Sequence, residues 1–177
     1  PNLHNTLKEV DKIRSILGSS KKFIFKNNNA TEKKLRSFKN KNFDIIHFAT
    51  HSFTSDAQEI PLILLNSEDI SDIRNDGIVD AFDIVDYNIT SDLVILSSCS
   101  SAISDSPLKY GYDSLMQSFF INKAKVVFAN TWPINDEFTS LIIPEILRRY
   151  SENNLSFTET LRLILIDNLS QNKIDRL

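Results

Sequence analysis

Apolar and polar positions along the chain alternate between a helical period and the period of a buried strand. Leu7, Val10, Ile13, Ile16 and Leu17 recur at helical spacing and stop at Gly18, a residue that suits a helix C-terminus. Lys22 to Phe25 reads as a short strand, Thr31 to Phe38 as a second helix, and Phe43 to His51 as a strand. Pro61 to Leu65 is a further strand, and Asn75-Asp76-Gly77 marks a turn before a helix at about Asp80 to Tyr87. A strand from Leu93 to Ser100, a helix from about Tyr112 to Asn122 and a strand from Lys125 to Ala129 follow. Asp136 to Tyr150 is helical, with Pro144 inside it predicting a kink or a restart. Ser156-Phe157-Thr158-Glu159 is a capping box that opens a terminal helix running to about Leu169. Strands alternating with helices in this way predict a layered α/β domain, and no repeat, low-complexity segment or linker interrupts it.

Two of these runs carry chemistry. Phe43-Asp44-Ile45-Ile46-His47-Phe48-Ala49-Thr50-His51 and Leu93-Val94-Ile95-Leu96-Ser97-Ser98-Cys99-Ser100 read as fully buried strands that each stop at a reactive side chain. In an open parallel sheet, residues just past the carboxyl ends of strands gather in one crevice. His51 and Cys99 can therefore meet although 48 positions separate them, which points to a cysteine–histidine hydrolase. The small residues Ser97, Ser98, Ser100 and Ser101 leave room beside the sulfur for a substrate carbonyl. Taken singly, each residue also has a plainer explanation. A lone cysteine is often a packed small hydrophobe, and a loop histidine often just bonds to backbone.

His47 stands four positions before His51, a spacing that would suit a metal on a helix. On a strand, four residues span about 13 Å, too far for one ion, so no metal site is expected. His47 reads instead as a strand histidine, hydrogen-bonded in or near the crevice and able to help orient the site.

Composition narrows the function classes. The 177 residues, 41% of them hydrophobic, are enough for one domain with one core. The 20 basic and 23 acidic residues give a net charge of −3, and the basic ones are scattered, so no direct nucleic-acid partner is expected. No apolar run approaches the ~20 residues that span a bilayer, and Pro1-Asn2-Leu3-His4 is not a signal peptide. A soluble, cytoplasmic protein without membrane contact is the expectation. The single cysteine excludes an internal disulfide framework. With only Gly18, Gly77 and Gly111 there is neither a dinucleotide fingerprint nor a P-loop, and no cofactor is expected. The start at Pro1 suggests a domain excised from a larger chain.

The segments His47-Phe48-Ala49-Thr50-His51, Leu93 through Cys99, and Val126-Val127-Phe128-Ala129-Asn130-Thr131-Trp132-Pro133-Ile134-Asn135-Asp136-Glu137 together resemble the signatures of CHAT domains, in the family's order. These are bacterial caspase-like peptidases often fused to TPR repeats. The likeness runs from about Leu7 to the terminal helix and includes Asp76-Gly77-Ile78 followed by a helix. Cys99-Ser100-Ser101 and the stretch from Trp132 to Asp136 are also similar to the eukaryotic separases. The resemblance implies a caspase-like three-layer α/β/α sandwich with a mostly parallel central sheet, formed by residues 1–177 as a single domain. It implies a cysteine endopeptidase acting on a protein or peptide substrate. His51 would be the catalytic histidine, Cys99 the nucleophile, and the N–H groups of Ser52 and Cys99 the oxyanion donors. TPR or other segments of the same or a partner chain would regulate it. Asp136, Trp132 and Ser97 are the candidates for the substrate pocket. Asp136 would pair with a basic P1 side chain as in separases, or else would cap the helix that follows it.

The chain departs from the family pattern at three places. Ser52 follows the histidine where the family usually has glycine, Ser100-Ser101-Ala102 stands where Glu-Thr-Gly is common, and only the first of two glycines survives around Gly111-Tyr112-Asp113. A catalytically degenerate scaffold that keeps the fold for protein interaction is the alternative these departures raise. The same residue pair could also serve an acyltransferase acting on small molecules.

Overall fold

The computed structural model describes residues 4–19, 21–50, 52–54, 61–67, 69–97, 110–130, 136–153 and 155–170. In chain order its elements are α1 (His4–Ile16), α2 (Glu32–Arg36), β1 (Asn42–Phe48), β2 (Ser52–Thr54), β3 (Pro61–Leu64), β4 (Ile78–Val79), α3 (Ala81–Tyr87), β5 (Thr90–Leu96), α4 (Tyr110–Ile121), β6 (Val126–Ala129), α5 (Asp136–Asn153) and α6 (Phe157–Ser170). They fall into two compact units, one made of Pro1–Phe23 with Ile134–Leu177 and the other of Ile24–Pro133.

The second unit is built on a parallel sheet of order β1-β5-β6. Leu93, Val94, Ile95 and Leu96 are all buried, because β5 is the central strand and is covered on both faces. On one face, Val94 and Leu96 join a core with Phe48 of β1, Ile63 and Val79 of the small sheet, and Leu115 and Phe119 of α4. The ring centroids of Phe48 and Phe119 are 5.9 Å apart. β1 corrects the sequence reading, which expected a fully buried strand. Only Phe48 is buried there, since β1 is the edge of this sheet and its outer side has no neighbouring strand among the described residues. The parallel sheet with its helices is the expected α/β class.

A second, antiparallel sheet of order β2-β3-β4 was not legible in the sequence. Its neck is closed by Leu65 N–H donating to Gly77 O at 2.8 Å. Gly77 sits at φ +87, and a Cβ there would meet Leu65 O at 2.5 Å, so both conformation and space demand glycine. Gly77 N–H in turn donates to the buried carboxylate of Glu32 at 3.0 Å. The same carboxylate accepts from the Tyr87 hydroxyl at 2.6 Å and from Arg36 at 3.0 Å. α2, α3 and the small sheet therefore share one buried polar node. Burial and the bond to Glu32 push the Tyr87 phenol above its ordinary range.

The helix ends follow local rules. Thr31 caps α2, its hydroxyl accepting from Lys34 N–H at 3.2 Å. Asp80 and Asp83 form a reciprocal capping box that starts α3, and Asn88 at φ 48 ends it. Lys22 to Phe25, expected as a strand, is not one. Residues 21–26 join no ladder, and Phe23, Ile24 and Phe25 are all exposed.

In the first unit α5 packs against both α1 and α6. Its buried side, with Ile142, Ile143, Ile146 and Leu147, is the unit's apolar centre, joined by Ile13, Phe157 and Ile164. Arg149 bonds Glu145 on its own helix and Asp167 on α6, both within 2.8 Å. The kink or restart expected at Pro144 does not divide the element: α5 is one helix of 18 residues. Pro144 lacks the N–H that would bond the carbonyl of Ser140, and that carbonyl accepts instead from Lys12 Nζ of α1 at 3.4 Å. At α6, Ser156 Oγ accepts from Glu159 N–H at 3.2 Å and donates to the Glu159 carboxylate, so the capping signature works as a local clasp.

Candidate functional site

The parallel register fixes how the two reactive segments leave the sheet. Phe48 of β1 is the Cα partner of Leu96 of β5, and His47 that of Ile95. His51 comes three positions after Phe48, and Cys99 three after Leu96. Adjacent strands lie about 4.8 Å apart, and three residues reach about 10 Å at most. The paired strands β1 and β5 thus end at the same carboxyl edge, and the sequence places His51 and Cys99 equally far beyond it. His51 and Cys99 themselves lie outside the described residues, as does Trp132.

The residues on either side of His51 meet β3. The Thr50 hydroxyl donates to Leu64 O at 2.5 Å, and Ser52 is the β-partner of Ile63. Thr50 and β3 were not recognised from sequence as parts of the site. A three-residue strand such as Ser52–Thr54 is too short to show a period, and only the position of Thr50 next to His51 hinted at its role.

The peptide direction at Ser52 follows from the ladder. Leu65 bonds Gly77 on β4, so Ile63, two residues earlier, also turns its N–H and carbonyl toward β4. Ile63 is then the non-hydrogen-bonded partner of Ser52, whose N–H points away from β3. Leu64, with the opposite orientation, offers its carbonyl to Thr50, in agreement with this alternation. The Ser52 N–H is therefore not spent on the ladder.

Beneath the Cys99 segment, Ser97 is buried and its Oγ lies 2.8 Å from His47 Nε2. Its N–H donates to Phe48 O at 3.1 Å. His47 is thus the hydrogen-bonded strand histidine that its setting predicted, and Ser97, a pocket candidate from sequence, has its hydroxyl engaged with that ring. Asp136 opens α5 in the first unit, and its side chain lies outside the described ones.

The family model of the CHAT domain matches residues 1–174, a span that takes in both compact units. No curated protein and no solved structure matches the chain. Among the described residues, no helix is long and apolar enough to cross a membrane.

Proposed function

The chain belongs to the CHAT-domain family, and from that premise we propose that it is a cysteine endopeptidase that cleaves protein substrates through His51 and Cys99. CHAT domains are associated with caspase-like cysteine peptidases. The observation that carries the reading is the shared register: equal tails from paired residues Phe48 and Leu96 bring the histidine and cysteine segments off one edge.

In this mechanism the Cys99 thiolate attacks the scissile carbonyl while His51 holds the thiol proton and then delivers it to the departing amine. Water, deprotonated by His51, hydrolyses the resulting thioester. The N–H groups of Cys99 and Ser52 hold the developing oxyanion, and the outward direction of the Ser52 N–H supports that role. Asp136 and Trp132 stay proposed as substrate-pocket residues on the strength of sequence alone.

The test is labelling by an acyloxymethyl ketone, which traps an activated thiol at a peptidase site. The parent should be labelled, Cys99→Ala should not, and His51→Ala should react far more slowly. In a peptide-cleavage assay the two substitutions should be non-additive, since they act as a unit. Equal labelling of parent and His51→Ala would overturn the dyad. Lack of labelling in a folded parent would favour the interaction scaffold that Ser52 and Ser100-Ser101-Ala102 raise.

A further inference from the structure

The connection between β3 and β4 carries side chains that neither the fold nor the proposed dyad uses. Ile73 and Ile70 are 86% and 82% exposed, and Phe82, just beyond β4, is 77% exposed. No other large hydrophobic among the described residues is as exposed as these three. The loop that presents the isoleucines is nevertheless tightly bonded. Ser67 Oγ donates to Asn75 O at 2.6 Å across the loop. Asp69 accepts from the N–H and hydroxyl of Ser71, and Asp72 accepts from Arg74 N–H and the Asn75 amide. Its neck is held by Leu65 and Gly77. Two bare isoleucines on so ordered a loop lose little further backbone freedom when covered.

Along the sequence the charge around them is one-sided, although Lys39 pairs with Asp86 and Arg36 acts on Asp72. Residues 68–87 contain seven acidic side chains and only Arg74 as a base, a net charge of −6, while the other 157 residues carry 16 acidic and 19 basic ones, or +3. The hydrogen bond from Ser71 holds the Asp69 carboxyl below its ordinary range, and that from Asn75 does the same for Asp72, so both stay charged at neutral pH. A face of this sign repels nucleic acid and anionic lipid, and repels itself when two copies meet face to face. It complements lysine and arginine, and its isoleucines require apolar anchors between them.

We propose that the β3–β4 loop is a docking surface for a partner polypeptide whose segment carries basic residues around aliphatic or aromatic anchors, with Ile70 and Ile73 as the apolar contacts. This goes beyond the peptidase reading and does not depend on it.

The test measures binding to the full 177-residue chain in its Cys99→Ala form, so that cleavage plays no part. The probe is a fluorescein-labelled amphipathic helical peptide with leucines on one face and lysine and arginine on the other. Its control has the same leucines with glutamate in place of every base. The basic peptide should bind, the acidic control should not, and higher salt should weaken binding. Ile70→Asn with Ile73→Asn should reduce affinity about tenfold or more while every charge is kept. Asp69→Asn with Asp72→Asn, which retains an acceptor oxygen at each turn, should flatten the salt dependence. Far-ultraviolet circular dichroism establishes that each variant folds, and Ile73→Ser alone replaces the double variant should that one unfold. Absence of binding by the basic peptide, equal binding of both peptides, or unchanged affinity in the folded isoleucine variants would overturn the proposal. Concentration-dependent dimerisation that the isoleucine variants abolish would also overturn it, by assigning the face to a second copy.

Discussion

Nε2 of His47 lies 2.8 Å from Oγ of Ser97, so a histidine of β1 and a serine at the end of β5 are joined across the parallel pair just before both chains leave the sheet. Cys99 is two positions beyond Ser97, and His51 four beyond His47. The bond ties the two strands together close to where each reactive segment begins.

Ser97→Ala should therefore cost about 1 kcal/mol of stability, the usual net value of one hydrogen bond, and should lower kcat more than it changes KM. His47→Ala should act similarly. A double-mutant cycle on melting temperature should return a coupling of about 0.5–3 kcal/mol, and simple additivity would show that the contact does not tie the strands.

At Ser52 the prediction concerns a backbone group. Ser52→Gly should preserve or raise turnover, because glycine restores the freedom usual at this position in the family. Ser52→Pro removes an N–H that the β2–β3 ladder does not use. Stability should fall little while turnover drops about 100-fold, the usual cost of one oxyanion donor. Kinetics of a fluorogenic peptide, measured beside thermal melts, check both. Undiminished turnover in the proline variant would remove Ser52 from the mechanism.

Glu32 is the most exposed to a simple stability test, although it is itself only 1% exposed to solvent. Glu32→Ala strips a partner from the Tyr87 hydroxyl, from Gly77 N–H and from Arg36 at once. Breaking a buried charged pair by deleting one side costs about 3–5 kcal/mol, or a fall of about 10 °C in Tm at this chain length. Tyr87→Phe, which removes one bond and leaves the rest, should cost nearer 1–2 kcal/mol. Equal melting temperatures for the two variants would mean that the node is not cooperative.

In α5 the prediction is a non-additive pair. Lys12→Met should cost about 1 kcal/mol by leaving the Ser140 carbonyl without the donor it draws from α1. Pro144→Ala returns the helical N–H to that carbonyl and should stabilise the helix by up to about 3 kcal/mol. In the Pro144→Ala background, Lys12→Met should then be close to neutral. Thermal denaturation of the four proteins reads the cycle, and an unchanged cost for Lys12→Met would show that the lysine is not compensating for the proline.

The sequence showed those elements whose signal is local and repeated. β5 announced itself because a central strand is apolar on both faces, and α3 because the turn at Asn75-Asp76-Gly77 marks off the helix that follows it. The parallel pairing of β1 and β5, and hence a shared edge for the histidine and cysteine segments, followed from the same reasoning. The small sheet did not show, because β2 and β4 have three and two residues and their pairing is decided by neighbours distant in sequence. Glu32 was invisible for a different reason. A glutamate in a lysine-rich helix reads as a solvated charge until the phenol of Tyr87, 55 positions away, is brought against it. The exposed aromatics near Phe23 misled in the opposite direction, since an apolar run signals a strand only when some ladder is there to receive it.

β1 ends at Phe48 and β2 begins at Ser52, so Ala49, Thr50 and His51 are the whole of the joint between two sheets that run in different senses. A joint of three residues stores no slack: whatever angle one sheet takes against the other must be absorbed by those few torsions. The chain at this joint is held at Thr50 by the Leu64 carbonyl and at Ser52 by its pairing with Ile63.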